Sequence, residues 1–138
     1  MKICVTSAGE GPDSEFDPRF GRCGYFVVLD SESGALESIE NKSAGASGGA
    51  GIQAAQTVAK AGIDVLLTGG VGPNAFSVLS EAGIEVKIGP SGSVSDAVRQ
   101  YEEGKLQAIS SPNSAPHAGM GAGQGPGKSQ GRGQSLGR

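Results

Sequence analysis

A short internal repeat is the feature that most constrains the fold of this chain. The segments AGIDV, at residues 61–65, and AGIEV, at residues 82–86, are similar and lie in register 21 residues apart. Each follows a stretch with helical periodicity, and its glycine stands where a helix would end before an apolar strand. Two consecutive helix–strand units of this kind predict parallel neighbouring strands joined by right-handed crossovers.

The rest of the pattern predicts a mixed sheet with helices on both faces. Two apolar runs and a weaker alternating segment near the amino terminus predict three strands, the last two forming an antiparallel hairpin. Helices are predicted up to Gly62, from Pro73 and from a capping box at Ser93. The fold class is therefore α/β, a three-layer α/β/α arrangement with an N-terminal antiparallel hairpin and a parallel C-terminal half. The five expected strands are residues 2–6, 25–29, 36–40, 63–67 and 84–88.

Composition divides the 138 residues into two parts. Residues 111–138 contain eight glycines, three prolines and no aromatic or acidic residue, so they are expected to form a disordered tail. Residues 1–110 are expected to form one domain with eight basic and fourteen acidic residues, a net charge of −6, whereas the tail carries +3. An acidic domain is a poor match for nucleic acid, because phosphate binding needs a basic surface.

The sequence also carries expectations about location. No apolar run approaches the roughly 20 residues that span a bilayer, and the amino terminus lacks the pattern of a signal peptide. Two cysteines do not make a disulfide framework. We expect a cytoplasmic, monomeric protein that contacts neither membrane nor nucleic acid.

The most reactive stretch is DPRFGRC at residues 17–23. It places two guanidinium groups, on Arg19 and Arg22, within five residues of a thiol, on Cys23. Arginine offers a fixed fork of donors, and a thiol beside positive charge tends toward the thiolate that binds soft metals. We expect this segment to bind a sulfur-containing anion, with Cys23 exposed and available as a metal ligand.

Two glycine-rich loops, at residues 43–51 and 68–74, lead into predicted helices. A helix start supplies unpaired N–H donors, and in α/β sheets ligands bind at the carboxyl ends of strands. These two loops and the segment at residues 17–23 are therefore expected to meet at one edge of the sheet. Each glycine loop could equally be a tight packing turn. A dinucleotide fingerprint at residues 49–54 is disfavoured because no acidic residue ends the next strand. The expected binding residues are Arg19, Phe20, Gly21, Arg22, Gly49, Gly51, Gly70, Gly72 and Asn74.

Catalytic groupings are scarce. The one histidine, His117, lies in the tail with Met120 nearby and is a weak candidate for a soft-metal ligand. Cys4 lies inside the first strand and is expected to be a small buried apolar residue. Residues 1–110 contain no histidine, so nucleophile–histidine catalysis is not expected there, and we do not expect an enzyme.

Three segments together resemble the dinitrogenase iron–molybdenum cofactor biosynthesis family, which includes NifX, NafY and the carboxyl-terminal region of NifB. They are DPRFGRCGYF at residues 17–26, GIQAAQ at 51–56 and LTGGVGPNAF at 67–76, within a resemblance that covers about residues 1–108. It implies a ribonuclease-H-like fold with a five-stranded mixed sheet. It also implies binding and carrying of metal–sulfur clusters between donor and acceptor proteins, without catalysis.

The resemblance leaves the cluster open. In nitrogenase-associated members a histidine commonly stands where this chain has Arg19, and a small residue often stands where it has Cys23. The orange proteins, a related subgroup, are similar too and are associated with a mixed molybdenum–copper sulfide cluster. The expected guest is therefore an iron–molybdenum–sulfur or a molybdenum–copper–sulfur cluster.

Two rival functions remain from the sequence. An oxyanion- or nucleotide-binding regulatory module would use the same arginines and helix starts without a metal. A nuclease of the ribonuclease H type would need carboxylates that converge on metal ions, and the strand at residues 2–6 carries none.

Overall fold

The computed structural model describes residues 1–113, which form six strands and three helices. His117, Met120 and most of the predicted tail lie outside the described residues, so the predicted domain division stays a prediction. Across the described part, no helix is long and apolar enough to cross a membrane. The elements are β1 Lys2–Ser7, β2 Tyr25–Asp30, β3 Leu36–Glu40, α1 Ala50–Lys60, β4 Val65–Thr68, α2 Pro73–Glu81, β5 Glu85–Ile88, α3 Val94–Glu102 and β6 Gln107–Ile109.

The strands form one mixed sheet in the order β3-β2-β1-β4-β5-β6. β1, β2 and β3 pair antiparallel, β1, β4 and β5 pair parallel, and β6 pairs antiparallel with β5. The hairpin and the parallel strands were predicted correctly, but the count of five strands was wrong. β6 has only three residues, largely exposed, and so lacks the apolar run by which a strand is recognised. The ribonuclease-H-like classification stays a prediction.

Helices cover both faces of the sheet, as predicted. On one face α1 and α2 pack on Cys4, Phe26 and Leu66. On the other face α3 packs on alternate residues of β1 and β4, including Ile3 and Leu67. The central strands are therefore buried on both sides, which explains why their sequences are continuously apolar.

The helix starts follow the local sequence. α2 begins with Pro73. Proline lacks an N–H group, but this costs nothing here because the N–H at the first position of a helix has no acceptor within the helix. α3 begins with the predicted capping box, in which Ser93 and Asp96 each accept a hydrogen bond from the other's backbone N–H. α1 begins inside the predicted glycine loop, after Gly49 in a left-handed conformation at φ 73°. Neither α1 nor α2 has a side-chain cap.

Candidate functional site

Residues 17–24, hereafter the arginine turn, lie across the carboxyl ends of β1 and β4. The Thr6 hydroxyl, buried at the end of β1, donates a 2.6 Å hydrogen bond to the Asp17 carbonyl and lies 2.9 Å from the Thr68 hydroxyl of β4. The Asp17 N–H donates to the Thr6 carbonyl at 3.0 Å. Phe20 and Cys23 point inward from the turn and are buried. The turn is thus anchored from beneath by the core.

The arginine turn touches the glycine turn that follows β4. The Gly70 N–H donates to the Pro18 carbonyl at 3.1 Å, and Arg19 and Gly70 form a parallel bridge. A methyl group at Gly69 would stand 2.5 Å from that carbonyl oxygen and 2.6 Å from Pro18 Cβ. Only glycine permits this approach, so packing explains Gly69 without any ligand.

The arginine turn also touches the start of α1. A methyl group at Gly21 would lie 3.0 Å from the Gly51 nitrogen and 3.1 Å from its Cα. A methyl group at Gly51 would in turn lie 3.5 Å from Ala75 Cβ in the first turn of α2. The three predicted loops therefore meet at one edge of the sheet, where the topology places them. Whether they bind a guest stays a prediction.

Arg19 is exposed but not unpaired. Its Nε and Nη2 donate to the two carboxylate oxygens of Asp17 at 3.0 and 2.8 Å, and the Arg19 backbone N–H donates to Oδ1 at 2.9 Å. These hydrogen bonds hold the pKa of the Asp17 carboxyl below its usual range. The Asp17 side chain is only 7% exposed, against 69% for Arg19. The carboxylate orients the guanidinium while leaving most of it open to a second anion.

Arg22 has a role that the sequence did not indicate. Its Nη1 donates to the carbonyls of Ala44 and Ala46 at 2.9 and 2.7 Å. Both carbonyls belong to the loop that precedes α1, so Arg22 ties this loop to the arginine turn. The side chain is exposed, and one arm of its guanidinium already has partners.

The expectation that Cys23 is an exposed thiol is wrong. Its side chain is fully buried, and Sγ donates a 3.3 Å hydrogen bond to the Phe20 carbonyl. Burial, with the Asp17 charge second, raises the pKa of Cys23 to about 12. A thiol with this pKa is protonated at neutral pH and presents no ligand in this conformation. Cys4 is buried as predicted, and burial raises its pKa as well.

The glycine turn after β4 offers fewer free donors than expected. Its Gly70 N–H is already bonded to Pro18, and the Val71 N–H donates to Oδ1 of Asn113 at 2.8 Å. The amide nitrogen of Asn113 donates to the Gly69 carbonyl at 3.2 Å, which closes this side of the turn. The expectation of bare amide donors at Gly70 is therefore wrong.

The starts of α1 and α2 lack the groups that neutralise the start of α3. Neither has a side-chain cap or an acidic residue in its first turn, so no carboxylate of their own offsets the positive ends of the two helix dipoles. Whether they bind an anion stays a prediction. Asn74, in the first turn of α2, is exposed, as is Gly49, whereas Gly51 and Gly72 are half-buried. We call Arg19, Arg22 and these two helix starts the rim.

Two cavities lie away from the arginine turn. One of about 410 Å³ lies between Leu36 and α3, and one of about 310 Å³ lies between Ile39 and α1. Within residues 1–113, no three His, Cys, Asp or Glu side chains are grouped closely enough to hold a metal ion. Residues 1–113 therefore supply no ready-made metal site at the rim.

Asn41 was missed from the sequence. This buried residue follows β3, and its amide group contacts both the arginine turn and the loop before α1. A single asparagine after a strand carries no pattern by which its role could have been recognised.

Comparisons with known proteins agree with this architecture. The chain is 45% identical to the orange protein of Desulfovibrio gigas, whose apo structure superposes with a TM-score of 0.77 over 81% of this chain and 95% of that one. A Thermotoga protein provisionally described as a NifB protein is 34% identical, with a TM-score of 0.71 over 80% of this chain and 94% of that one. The uncharacterized protein MJ0580 of Methanocaldococcus jannaschii is 31% identical over 69% of this chain and 83% of its own length.

The family assignment rests on most of the chain. The family model described as "Dinitrogenase iron-molybdenum cofactor" matches residues 1–104, which include the arginine turn, both glycine loops and all three helices. This chain therefore belongs to the dinitrogenase iron–molybdenum cofactor family.

Proposed function

We propose that this protein binds an anionic metal–sulfur cluster at the rim and carries it between proteins. The observation that carries the proposal is the meeting of two uncapped helix starts beside two arginines. This concentrates positive potential at one edge of a domain whose net charge is −6. Such an arrangement stabilises a bound anion, and the structural contacts of Arg19 and Arg22 leave several of their N–H groups without a protein partner among the described residues.

The donor set suits a preassembled cluster better than a bare metal ion. Guanidinium and backbone N–H groups donate hydrogen bonds to bridging or terminal sulfides, while the metals keep the ligands that they bring. Cys23 has no ligand role here, because its sulfur is buried and protonated. A guest held by hydrogen bonds and charge is released without breaking a bond between protein and metal, which suits transfer.

The family resemblance supports two kinds of guest, an iron–molybdenum–sulfur and a molybdenum–copper–sulfur cluster. The similarity to the orange protein favours the second. In this proposal the chain acts as a cytoplasmic monomer without catalytic activity. It receives the cluster from one protein and delivers it to another across the exposed rim.

His117 lies outside the described residues. We propose it as an additional ligand for a copper-containing cluster, because imidazole suits copper.

Reconstitution tests the proposal. The full chain is mixed with tetrathiomolybdate and copper(I), desalted, and examined for a visible charge-transfer band and for bound metal. We expect retention by the native protein and at least tenfold weaker binding in R19A/R22A. The matched control is R99A, because Arg99 is an exposed arginine paired with Asp96 on α3, on the other face of the sheet. Absence of a band, or equal retention in both variants, contradicts the proposal.

A second candidate is an oxyanion- or nucleotide-binding regulatory module. It is favoured by the absence of an accessible thiol in the arginine turn, since every exposed donor there is an N–H group. Titration with phosphate, molybdate and ATP separates the two. Tight binding of one of these ligands, with no retention of the sulfide cluster, supports the module instead of the carrier.

A further inference from the structure

The Asn41 side chain joins the two loops that carry the rim. Its amide nitrogen donates to the Cys23 carbonyl at 2.8 Å and to the Gly21 carbonyl at 3.2 Å. Its backbone N–H donates to the Gly24 carbonyl at 2.9 Å. Asn41 thus satisfies three carbonyls of the arginine turn, and it is only 5% exposed.

The oxygen of the same amide fixes the loop before α1. Oδ1 accepts hydrogen bonds from the Ser43 N–H at 3.2 Å and from the Ser43 hydroxyl at 2.6 Å. That hydroxyl also lies 3.4 Å from the carbonyl of Ala50, the first residue of α1. Every polar group of the Asn41 side chain is therefore used, in the one orientation that matches donors with acceptors.

Arg22 closes this arrangement from the solvent side. Its bonds to Ala44 and Ala46 hold the outside of the same loop whose inside is held by Asn41. If the Asn41 side-chain amide is lost, the Gly21 and Cys23 carbonyls lose a donor and Ser43 loses its acceptor. Buried polar groups without partners are costly, so the two loops are expected to separate or rearrange.

We infer that Asn41 is a positioning residue of the rim, which sets Arg22 and the start of α1 at the spacing that an anionic cluster requires. The expected effect of Asn41 on cluster binding rests on the proposed function. Its expected effect on the arrangement of the two loops does not. Asn41 is buried beneath the rim and so acts through the arginine turn. Residues in such supporting positions typically change metal affinity by about 10- to 100-fold.

The test compares N41A with V86A, a core truncation in β5 that removes no hydrogen bond of the two loops. Both variants are expected to lower stability, so both are measured well below their unfolding temperatures. We expect N41A to bind the tetrathiomolybdate–copper(I) cluster about tenfold more weakly and V86A to bind it normally. In a double-mutant cycle, N41A/R22A should lose little more affinity than the larger single loss, because Asn41 acts through Arg22. Equal affinities for N41A and the native protein, or equal losses in N41A and V86A, overturn the inference.

Amide hydrogen exchange decides the structural part without any cluster. The Cys23 and Ala46 amides, which bond to Arg19 and Ser43, should lose protection in N41A, while amides in the β5–β6 ladder keep theirs. Unchanged protection at Cys23 and Ala46 overturns the inference. If the native protein binds no cluster, the proposed function fails, and exchange still decides whether Asn41 holds the two loops together.

Discussion

Replacing Gly69 by alanine should destabilise this protein more than an alanine at Gly21 or Gly45. The new methyl group would lie 2.5 Å from the Pro18 carbonyl oxygen and 2.9 Å from Pro18 Cα. These neighbours are backbone or ring atoms, so the strain is relieved only by pushing the arginine turn away. That movement breaks the bond from the Gly70 N–H to the Pro18 carbonyl and the bridge between Arg19 and Gly70.

The magnitude follows from two contributions. Overpacking of a close contact costs about 1–3 kcal/mol, and a lost backbone hydrogen bond costs about 1 kcal/mol. G69A should therefore lower the free energy of unfolding by about 2–4 kcal/mol. With a urea slope of about 1.5 kcal/mol per molar, the midpoint should fall by about 1–3 M.

The assay is urea unfolding followed by far-ultraviolet circular dichroism, with two comparison variants. G21A meets the backbone of Ala50 and Gly51 at 3.0–3.2 Å, a milder contact, and should cost about 1–2 kcal/mol. G45A meets nothing within 4 Å and should stay within about 0.5 kcal/mol of the native protein or gain slightly. The expected order of destabilisation is G69A, then G21A, then G45A. If G69A unfolds within about 0.5 kcal/mol of the native protein, the packing of the arginine turn against Gly69 is refuted.

Three further predictions concern charge, the buried thiol and the tail. The Arg19 hydrogen bonds lower the pKa of Asp17, so their contribution to stability is present above the unfolded pKa of about 3.9 and is lost as the pH falls through the lower folded pKa. The difference in free energy of unfolding between the native protein and D17N should therefore shrink between pH 6 and pH 2. A constant difference in urea unfolding would contradict this. Burial raises the pKa of Cys23 to about 12, so the native protein at pH 8 should not react with Ellman's reagent. In guanidinium chloride both thiols should become exposed and react. Rapid reaction of one thiol in the native state would show that Cys23 is accessible. A truncated chain that ends after Asn113 keeps the contacts of that residue with Gly69 and Val71. Its free energy of unfolding should therefore stay within about 0.5 kcal/mol of that of the full chain. A larger loss would mean that residues 114–138 pack on the domain.

The parts of the fold that the sequence predicted are those with local signals. The repeated AGI segments, the proline at the start of α2 and the Ser93 capping box each act over a few residues, and each corresponds to an element of the structure. β6 has no such signal, because its three residues are largely exposed and form no apolar run. Local sequence patterns therefore predicted the helices and the central strands but not the edge strand β6.

The candidate site divides in the same way. Topology alone predicted that the loops after β1 and β4 would meet, since the carboxyl ends of parallel strands share an edge. The burial of Cys23 was not predicted, because its neighbour Arg22 suggested exposure. Phe20 and Cys23 stand three residues apart in one tight turn, a spacing that places both on its inner side. The tie through Asn41 links segments 20 residues apart in sequence, beyond the reach of any local pattern.

Buried and exposed side chains alternate along the arginine turn. The side chains that stabilise the fold are therefore different from those that face solvent, where a guest would bind. Phe20 and Cys23 fill the interior, where a change in volume would disturb the whole domain. Arg19 projects from the same few residues into solvent, where substitutions are better tolerated. Under the proposed function, a change at this one surface side chain alters which anion is bound and leaves the interior of the turn intact.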